Sequence, residues 1–474
     1  MDVKKLIAGL DLDYSNPQIL ALVNIIEILC AEITKVTADL QACQDEINRL
    51  KGEKGKPNIK GNKKNEINNN HSSETERKKK KKHKKSSKKG VVKIDRTVRV
   101  HLDKTALPDD LKFKGYQEHL VQNVIITSDN VMFEKEVWYS ASAGETYIAE
   151  TPDGLQGEEF HHDLKAYINY LAYEMSMSQK DIKDFLATAG VSISEGTISN
   201  ILINEKSEEL TEEVADIFLA GLSESIWSAI DDTSLRVGGI NHYCNVIGND
   251  LFTIYSTQLS KSKDTIKDVV FPKEIRELFE ILLSDDAPQF KMDLIINALC
   301  WIHELRHFKK LNPLFEVHQK ELEEILTRLW DYYHKLLKYK INPTENDKEM
   351  LLKEFDSILN TEVNYDELAK RMELTKDKKE RLLVVLDYPS IPLHNNDMEL
   401  GARTVVKKRK ISGGLRSHEG KIAWDNNFSI LATCRKQGVS YLEYMKNIFS
   451  GKGNPVTLAQ LIKEKGDETS PGCA

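Results

Sequence analysis

Acidic side chains end two apolar runs, and a third acid stands near the start of a basic helix. The stretch "SIWSAIDDTSLRVGG" carries Asp231 and Asp232 directly after an apolar run, and "LFEILLSDD" ends in Asp285 and Asp286. Adjacent carboxylates repel, and the end of a buried strand is a costly place for them unless a cation sits there. In "IPLHNNDMELGARTVVKKRK" the residues Glu399, Arg403 and Lys407 are spaced i, i+4, i+8 and share one helical face. Lys408, Arg409 and Lys410 extend that run of cations. Taken alone, the helix reads as a solvated Glu–Arg pair worth roughly 0.2–0.5 kcal/mol. Together the acids read as ligands of hard cations: Mg²⁺ takes oxygen donors and is held by one or two carboxylates with phosphate and water. Two such ions (Mg²⁺ or Mn²⁺) about 4 Å apart stabilise the attacking and leaving oxygens of an in-line phosphodiester displacement. The expected metal ligands and catalytic groups are Asp231, Asp285 and Glu399, with Asp232 and Asp286 in support, and the expected substrate is a DNA phosphodiester.

The elements around these acids have a regular rhythm. "IWSAID", "NHYCNVIG" and "LFTIYSTQLS" read as three strands, "KSKDTIKDVVF" as a helix and "LFEILLSDD" as a fourth strand. That is the order expected of a ribonuclease-H-like fold, whose first and fourth strands lie side by side and whose third acid comes from a later helix. The 54 residues from Asp231 to Asp285 suit the intervening βαβ path. The 114 residues from Asp285 to Glu399 exceed what the fold needs, and their pattern predicts a helical insertion over 310–378. Trp330, Tyr332 and Tyr333 within it read more readily as core than as a DNA-facing surface.

Ahead of this domain the chain changes character several times. Ile19, Leu22, Ile26, Leu29, Ile33, Val36, Leu40, Cys43, Ile47 and Leu50 form an unbroken heptad stripe. Such a stripe favours a coiled coil, most simply a homodimer, against the alternative of one long helix packed on its own domain. The Lys-, Asn- and Ser-rich segment that follows cannot bury enough surface to offset chain entropy and is expected to be a disordered linker. Its cation block, Arg77 to Lys89, has a general affinity for polyanions. "DRTVRVHL", "HLVQNVIIT", "VMFEKEVWYSAS" and "ETYIAE" read as short strands. A helix, a turn with Gly190 and a second helix then outline a helix-turn-helix, with capping-box spacing at Ser178/Asp181 and Ser192/Glu195. Its second helix would present Thr197 and Asn200 to DNA.

Composition is ordinary for a soluble chain of 474 residues, 40% hydrophobic and 30% charged with a net charge of −7. No apolar run reaches the ~20 residues of a membrane span, and the first residues lack the pattern of a secretory leader. The six scattered cysteines read as reduced thiols. A cytoplasmic protein is expected, with DNA as partner and no membrane.

With these motifs in order, the chain resembles the insertion sequence 66 family of bacterial, DDE-type transposases over about residues 94–448. The family's Asp-Glu-Thr motif is matched by Asp231-Asp232-Thr233. Its second aspartate, with an aromatic five residues on, is matched by Asp285 and Phe290. Its Cys-x-x-His string is matched by Cys300, His303, Arg306 and Phe308, and its Asn-Asn-x-x-Glu motif by Asn395, Asn396 and Glu399. The resemblance implies Mg²⁺-dependent cleavage at element ends and transfer of a 3′-OH into target DNA, with accessory proteins of the same element as further partners. Asp286 replaces the family's usual glycine, and Leu400 stands where an arginine commonly follows the glutamate. Cys300 and His303 would supply only half of a zinc site and read as packing residues beside the acids.

The expected organisation is multidomain α+β. Residues 1–52 form a coiled-coil helix, 53–93 a basic linker, 94–160 a small β-rich domain and 161–210 the helix-turn-helix. Residues 211–309 and 379–448 form the ribonuclease-H-like domain around the insertion at 310–378, and 449–474 is a tail. Two alternatives remain: a non-catalytic dimeric DNA-binding regulator, for which three ordered acids have no use, and a nuclease of the same fold without strand transfer. Relatives often place a cysteine-rich zinc module ahead of the helix-turn-helix, yet no cysteine occurs here between Cys43 and Cys244. Metal analysis of the purified protein is therefore expected to find no stoichiometric zinc bound in 94–160.

Overall fold

A computed structural model describes residues 12–14, 16–50, 93–101, 112, 114–152 and 155–469. All but the last residue of the expected linker at 53–93, including the cation block, lies outside the described residues, as do the side chains of Ile47 and Leu50 and the end of the tail. Helix α1 (Pro17–Leu50) is a single 34-residue helix. Its heptad stripe is largely uncovered within one chain: Leu22, Leu29, Ile33, Val36 and Leu40 are exposed, while Ile19 and Ile26 are half-buried. A different face of its first turns packs on the chain's own helices, through buried Val23 and Glu27. The Glu27 carboxylate accepts from Leu314 N at 2.6 Å, from Phe315 N at 3.1 Å and from His318 Nδ1 at 2.9 Å. Those residues surround the start of the helix Glu316–Tyr339, which has no side-chain cap of its own. A carboxylate from nearly 300 positions away thus supplies the cap that helix start requires.

Within 94–160 the described residues hold one hairpin. Strands β1 (Val137–Ser140) and β2 (Glu145–Ile148) pair as an antiparallel hairpin. "HLVQNVIIT" is extended but joins no sheet, and Val121, Val124, Ile125 and Ile126 are exposed. Nor does any described residue of "DRTVRVHL" join a sheet. β-propensity alone does not make a strand where no neighbour supplies a ladder. Helices α2 (His162–Tyr173), α3 (Gln179–Thr188), α4 (Glu195–Ile203) and α5 (Ser207–Ser223) follow. The capping box at Ser178 and Asp181 is present in both directions. The cap of α4 is Ser194, which accepts from Thr197 N, rather than Ser192. Gly190 turns the chain at φ 87°, and the stretch to Ser194 stays extended so that Ile193 can be buried.

The centre of the α+β fold is a mixed five-stranded sheet in the order β5-β4-β3-β6-β7. Its strands are β3 (Trp227–Val237), β4 (Ile240–Gly248), β5 (Thr253–Gln258), β6 (Ile281–Ser284) and β7 (Ile296–Leu299). β3, β4 and β5 form an antiparallel meander; β6 lies parallel to β3, and β7 parallel to β6. Gly238 and Gly239, at φ 57° and 81°, make the two-residue turn from β3 to β4, a conformation that side chains resist. All four residues of β6, Ile-Leu-Leu-Ser, are buried, as a parallel strand covered on both faces requires. β7 was not expected from the sequence, being four residues long. The expected helix "KSKDTIKDVVF" is broken instead: a turn at Lys263–Thr265 passes into a π turn over Ile266–Val270. Phe271 precedes Pro272 and is driven out of the helical region by the proline ring.

After the sheet come α6 (Trp301–Lys310), α7 (Glu316–Tyr339), α8 (Glu345–Leu359) and α9 (Asp366–Lys376). Trp330, Tyr332 and Tyr333 are core residues of this helical stretch, and Tyr332 meets Trp301 and Phe355 at 5.6 and 5.9 Å between ring centres. Helices α10 (Asn396–Ser412), α11 (His418–Gln437), α12 (Tyr441–Phe449) and α13 (Leu458–Thr469) complete the chain. No helix among the described residues is long and apolar enough to cross a membrane.

Helix α11 seals the open edge of β5. Thr253 N, Tyr255 N and Thr257 N donate to Thr433 Oγ1, Ser429 Oγ and Asp425 Oδ2 at 3.2, 2.9 and 2.8 Å. Four helical residues rise about 6 Å and two strand residues about 6.6 Å, so an antiparallel helix presents one acceptor to each outward N–H. An edge that would otherwise pair with another chain is closed by side chains. Asp425 also accepts from Thr257 Oγ1 at 2.7 Å, and burial pushes its carboxyl up to about 7. Asp425→Ala is expected to lower stability by about 1–3 kcal/mol in thermal denaturation, because it leaves two buried donors without an acceptor. The raised carboxyl stabilises most in its protonated form, so this contribution is lost as pH rises through about 7. Asp425→Asn should flatten that part of the stability–pH curve.

Candidate active site

The pairing of β3 with β6 sets the geometry. Trp227 lies opposite Ile281, Ser228 opposite Leu282 and Ala229 opposite Leu283. Carried two residues further, that register brings Asp231 level with Asp285, on parallel strands about 4.8 Å apart. Asp231 is still inside β3, paired with Val246 of β4, and Asp285 is the first residue beyond β6. Burial, with repulsion from Asp285, Glu399 and Asp232, pushes the Asp231 carboxyl up to about 7. One oxygen of each acid is anchored by backbone: Asp231 Oδ1 accepts from Asp232 N at 2.9 Å, and Asp285 Oδ1 from Ala287 N at 3.1 Å.

The neighbouring acids do different work. Strand alternation turns Asp232 to the other face from Asp231, where its Oδ2 accepts from Gln289 Nε2 at 3.0 Å. Asp286 is gripped by Lys378 at 2.8 Å and Arg381 at 2.7 Å. Burial opposes its ionisation, but these two cations outweigh it and hold its carboxyl below the usual range. Lys378 also reaches Glu304 at 3.0 Å, a buried carboxylate bonded to Arg371 and Thr375 as well. The Asp286 oxygens, expected to support a metal, here tie the end of the helical insertion to the sheet.

Glu399 is brought to the acids by the turn before α10. Asn395 Nδ2 donates to Ile230 O at 2.7 Å, the carbonyl just before Asp231. Asn395 N donates to Cys300 Sγ at 3.4 Å. Asn396 is the first residue of α10. A Cβ on Gly401 would stand 2.6 Å from Val246 Cγ1, so the missing side chain is what lets α10 lie close on β4. The Glu399 carboxylate accepts from both Arg306 terminal nitrogens, at 3.1 and 3.4 Å, with His303 Nε2 at 3.5 Å and Arg403 at 3.6 Å. Cys300 is buried, and burial pushes its thiol up to about 11; His303 Nδ1 is buried without a hydrogen-bond partner.

The expected DNA-contacting residues divide. Arg403, Lys407 and Lys410 are exposed along α10. Lys408 is buried, donates to Met177 O, and has its ammonium pulled down to about 8 by burial; it is a packing residue, which corrects its assignment to DNA. Its side chain leaves α10 on the face turned to the helix-turn-helix. Arg409 is likewise engaged, donating to Ser234 O and Oγ at the far end of β3. Thr197 sits in the first turn of α4, bonded to its cap Ser194, and Asn200 is exposed and accepts from Asn204 Nδ2 at 2.9 Å. Sequence reasoning missed Gln289, Glu304, Lys378, Arg381 and Gly401. Their contacts cross 57 to 95 positions or, for Gly401, rest on a missing atom, and no local pattern marks them.

Oxygen donors from Asp231, Asp285 and Glu399 suit a hard divalent ion, and the mutual repulsion around Asp231 is what such a cation would relieve. Yet among the described residues no three His, Cys, Asp or Glu side chains converge closely enough to hold one ion. Two acids stand level on adjacent strands, while the third is turned to Arg306.

The family model described as Transposase IS66 family matches residues 158–423. The chain is also 33% identical over 186 residues to the uncharacterized protein y4jO of Sinorhizobium fredii, a match covering 39% of this chain and 57% of that protein. The chain thus spans little more than half the length of the curated relative it matches. Asn395→Ala should cost about 1–3 kcal/mol by stranding the buried Ile230 carbonyl, read as a lower thermal midpoint. Asn395→Asp, which keeps the shape but not the donor, should fare no better.

Proposed function

The chain belongs to the Transposase IS66 family, and from that premise we propose that it is a DDE-type DNA transposase with a ribonuclease-H-like catalytic domain. It cleaves phosphodiesters at the ends of an insertion element and joins the exposed 3′-OH to target DNA. The observation that carries this reading is the common register of Asp231 and Asp285 at the ends of two parallel strands, with Glu399 near enough to add to the repulsion on Asp231. The strand order, an antiparallel meander flanked by two parallel strands, supports the catalytic fold.

Asp231 and Asp285 would hold Mg²⁺ (or Mn²⁺), Glu399 would complete the set, and no zinc is part of it. When bound, the metal would supply charge stabilisation for the attacking and leaving oxygens of an in-line displacement. The remaining work falls to the protein's own side chains. Asn395 fixes the start of α10 against β3 and so orients Glu399. Arg403, Lys407 and Lys410 project from the same helix and would hold DNA backbone phosphates beside the acids. Helix α4, with Thr197 and Asn200, would contact DNA away from the chemistry. The exposed stripe of α1 would pair with a second copy, since an uncovered heptad face of that length favours a two-stranded coiled coil. The site of action would be the bacterial nucleoid, with accessory proteins of the element as further partners.

Asp231→Asn is expected to abolish Mg²⁺-dependent cleavage and strand transfer, measured with labelled element ends and a plasmid target, while DNA binding in a mobility-shift assay stays within about twofold. Cleavage at the normal rate by that variant would overturn the assignment. Cleavage without joined products would leave a nuclease in place of a transposase.

A further inference from the structure

Arg306 occupies, on Glu399, the place a cation would take. Its guanidinium forks onto both carboxylate oxygens, at 3.1 and 3.4 Å, and the first of its nitrogens lies 3.2 Å from His303 Nε2. The two partners are unequally fixed. Glu399 is 13% exposed and set in a helix packed on the sheet, whereas the Arg306 side chain is 43% exposed. The arginine is the member of the pair free to move. Beside it a cleft of about 550 Å³ opens between α6 and the helical insertion, lined by Asp285, Arg306, His307 and Lys310. Glu399 bonds Arg306, and no three donors among the described residues converge on one point.

We propose that Arg306 is a latch on the third carboxylate, holding Glu399 neutralised until a DNA phosphate draws the guanidinium into the cleft beside Asp285. This rests on the reading of Asp231, Asp285 and Glu399 as metal ligands. Guanidinium forks bind phosphate and carboxylate with the same two-point geometry, so the arginine can exchange one partner for the other. Pulling it away with nothing in return would leave the poorly solvated Glu399 carboxylate with only the more distant Arg403 and His303 beside it. Exchange avoids that state: the phosphate receives the guanidinium as the divalent ion takes the carboxylate. Metal capture and DNA binding are then linked, and each must raise the affinity of the other by the same factor. Arg306 is a positioning residue in this scheme, acting on the metal set through Glu399.

Titration of the full chain with Mn²⁺, followed by loss of the free-ion paramagnetic resonance signal, tests the latch without reference to activity. Arg306→Gln should bind Mn²⁺ more tightly than the unaltered chain, by roughly tenfold, within the usual range of coupling between sites. Adding Glu399→Gln to that variant should erase the gain. A merely structural arginine would have the opposite effect, its loss lowering metal affinity and the melting temperature together. Arg306→Lys, which keeps the charge but not the fork, should fall between, and it decides the matter if Arg306→Gln proves unfolded by circular dichroism. In a second arm, the affinity for a short blunt-ended duplex is measured by anisotropy with and without Ca²⁺. The ion should tighten binding by roughly fivefold or more in the unaltered chain and by less than about twofold in Arg306→Gln. Inorganic phosphate in place of the duplex should not raise Mn²⁺ affinity; an equal effect would overturn the assignment of the trigger to DNA. Unchanged or weaker Mn²⁺ binding by Arg306→Gln, with Asp231→Asn still abolishing it in the parent, would sink the latch and leave the metal set standing. No Mn²⁺ binding by any variant would remove both.

Discussion

Two carboxylates at the same register on neighbouring parallel strands repel each other, and much of the surrounding structure can be understood as holding them there. β3 and β6 are joined by main-chain hydrogen bonds and buried apolar side chains up to the residues just before the acids. The strands therefore supply the energy that brings Asp231 and Asp285 together, and the acids bear the electrostatic cost. That cost is visible in Asp231, whose buried carboxyl resists ionisation. A site of this kind stores affinity for a cation, because the ion relieves repulsion that the fold has already imposed.

Around this pair the structure gives adjacent acids different partners. Asp231 and Asp232 are consecutive, yet strand alternation sends one to the shared register and the other to Gln289. Asp285 and Asp286 are consecutive, and the second is taken by Lys378 and Arg381 at the far end of the helical insertion. Through Lys378 the same network reaches Glu304 on α6, next to His303 and two residues before Arg306. The insertion is thus pinned on both sides of Asp285. Glu27 makes a comparable tie from the other end of the chain, capping the first long helix of the insertion. The first turns of α1 and the end of β6 are therefore both tied to the helices of the insertion.

Local patterns made several features legible. Apolar runs ending in acids located β3 and β6, and Ser178 and Asp181 marked a helix start. Each is a short-range effect of backbone geometry or capping, contained in a few consecutive residues. Where the sequence misled, a tertiary partner was missing or unexpected. "HLVQNVIIT" has strand propensity but no neighbouring ladder, and the helix after β5 gave way at the residue before Pro272. Lys408 sits in a run of cations, yet the angle of its side chain around α10 buries it against Met177.

By itself, then, the sequence determined the types of the reactive groups, their order and the strands and helix that bear them, since periodicity and capping act within a few residues. Only the tertiary structure decided which carboxylates face one another and which are diverted to cations, because that depends on strand register and on side chains brought together across many tens of positions. The fork of Arg306 on Glu399 spans 93 positions. No pattern of neighbouring residues encodes it; the packing of α10 on β3 and β4 and the course of the chain from β7 into α6 do.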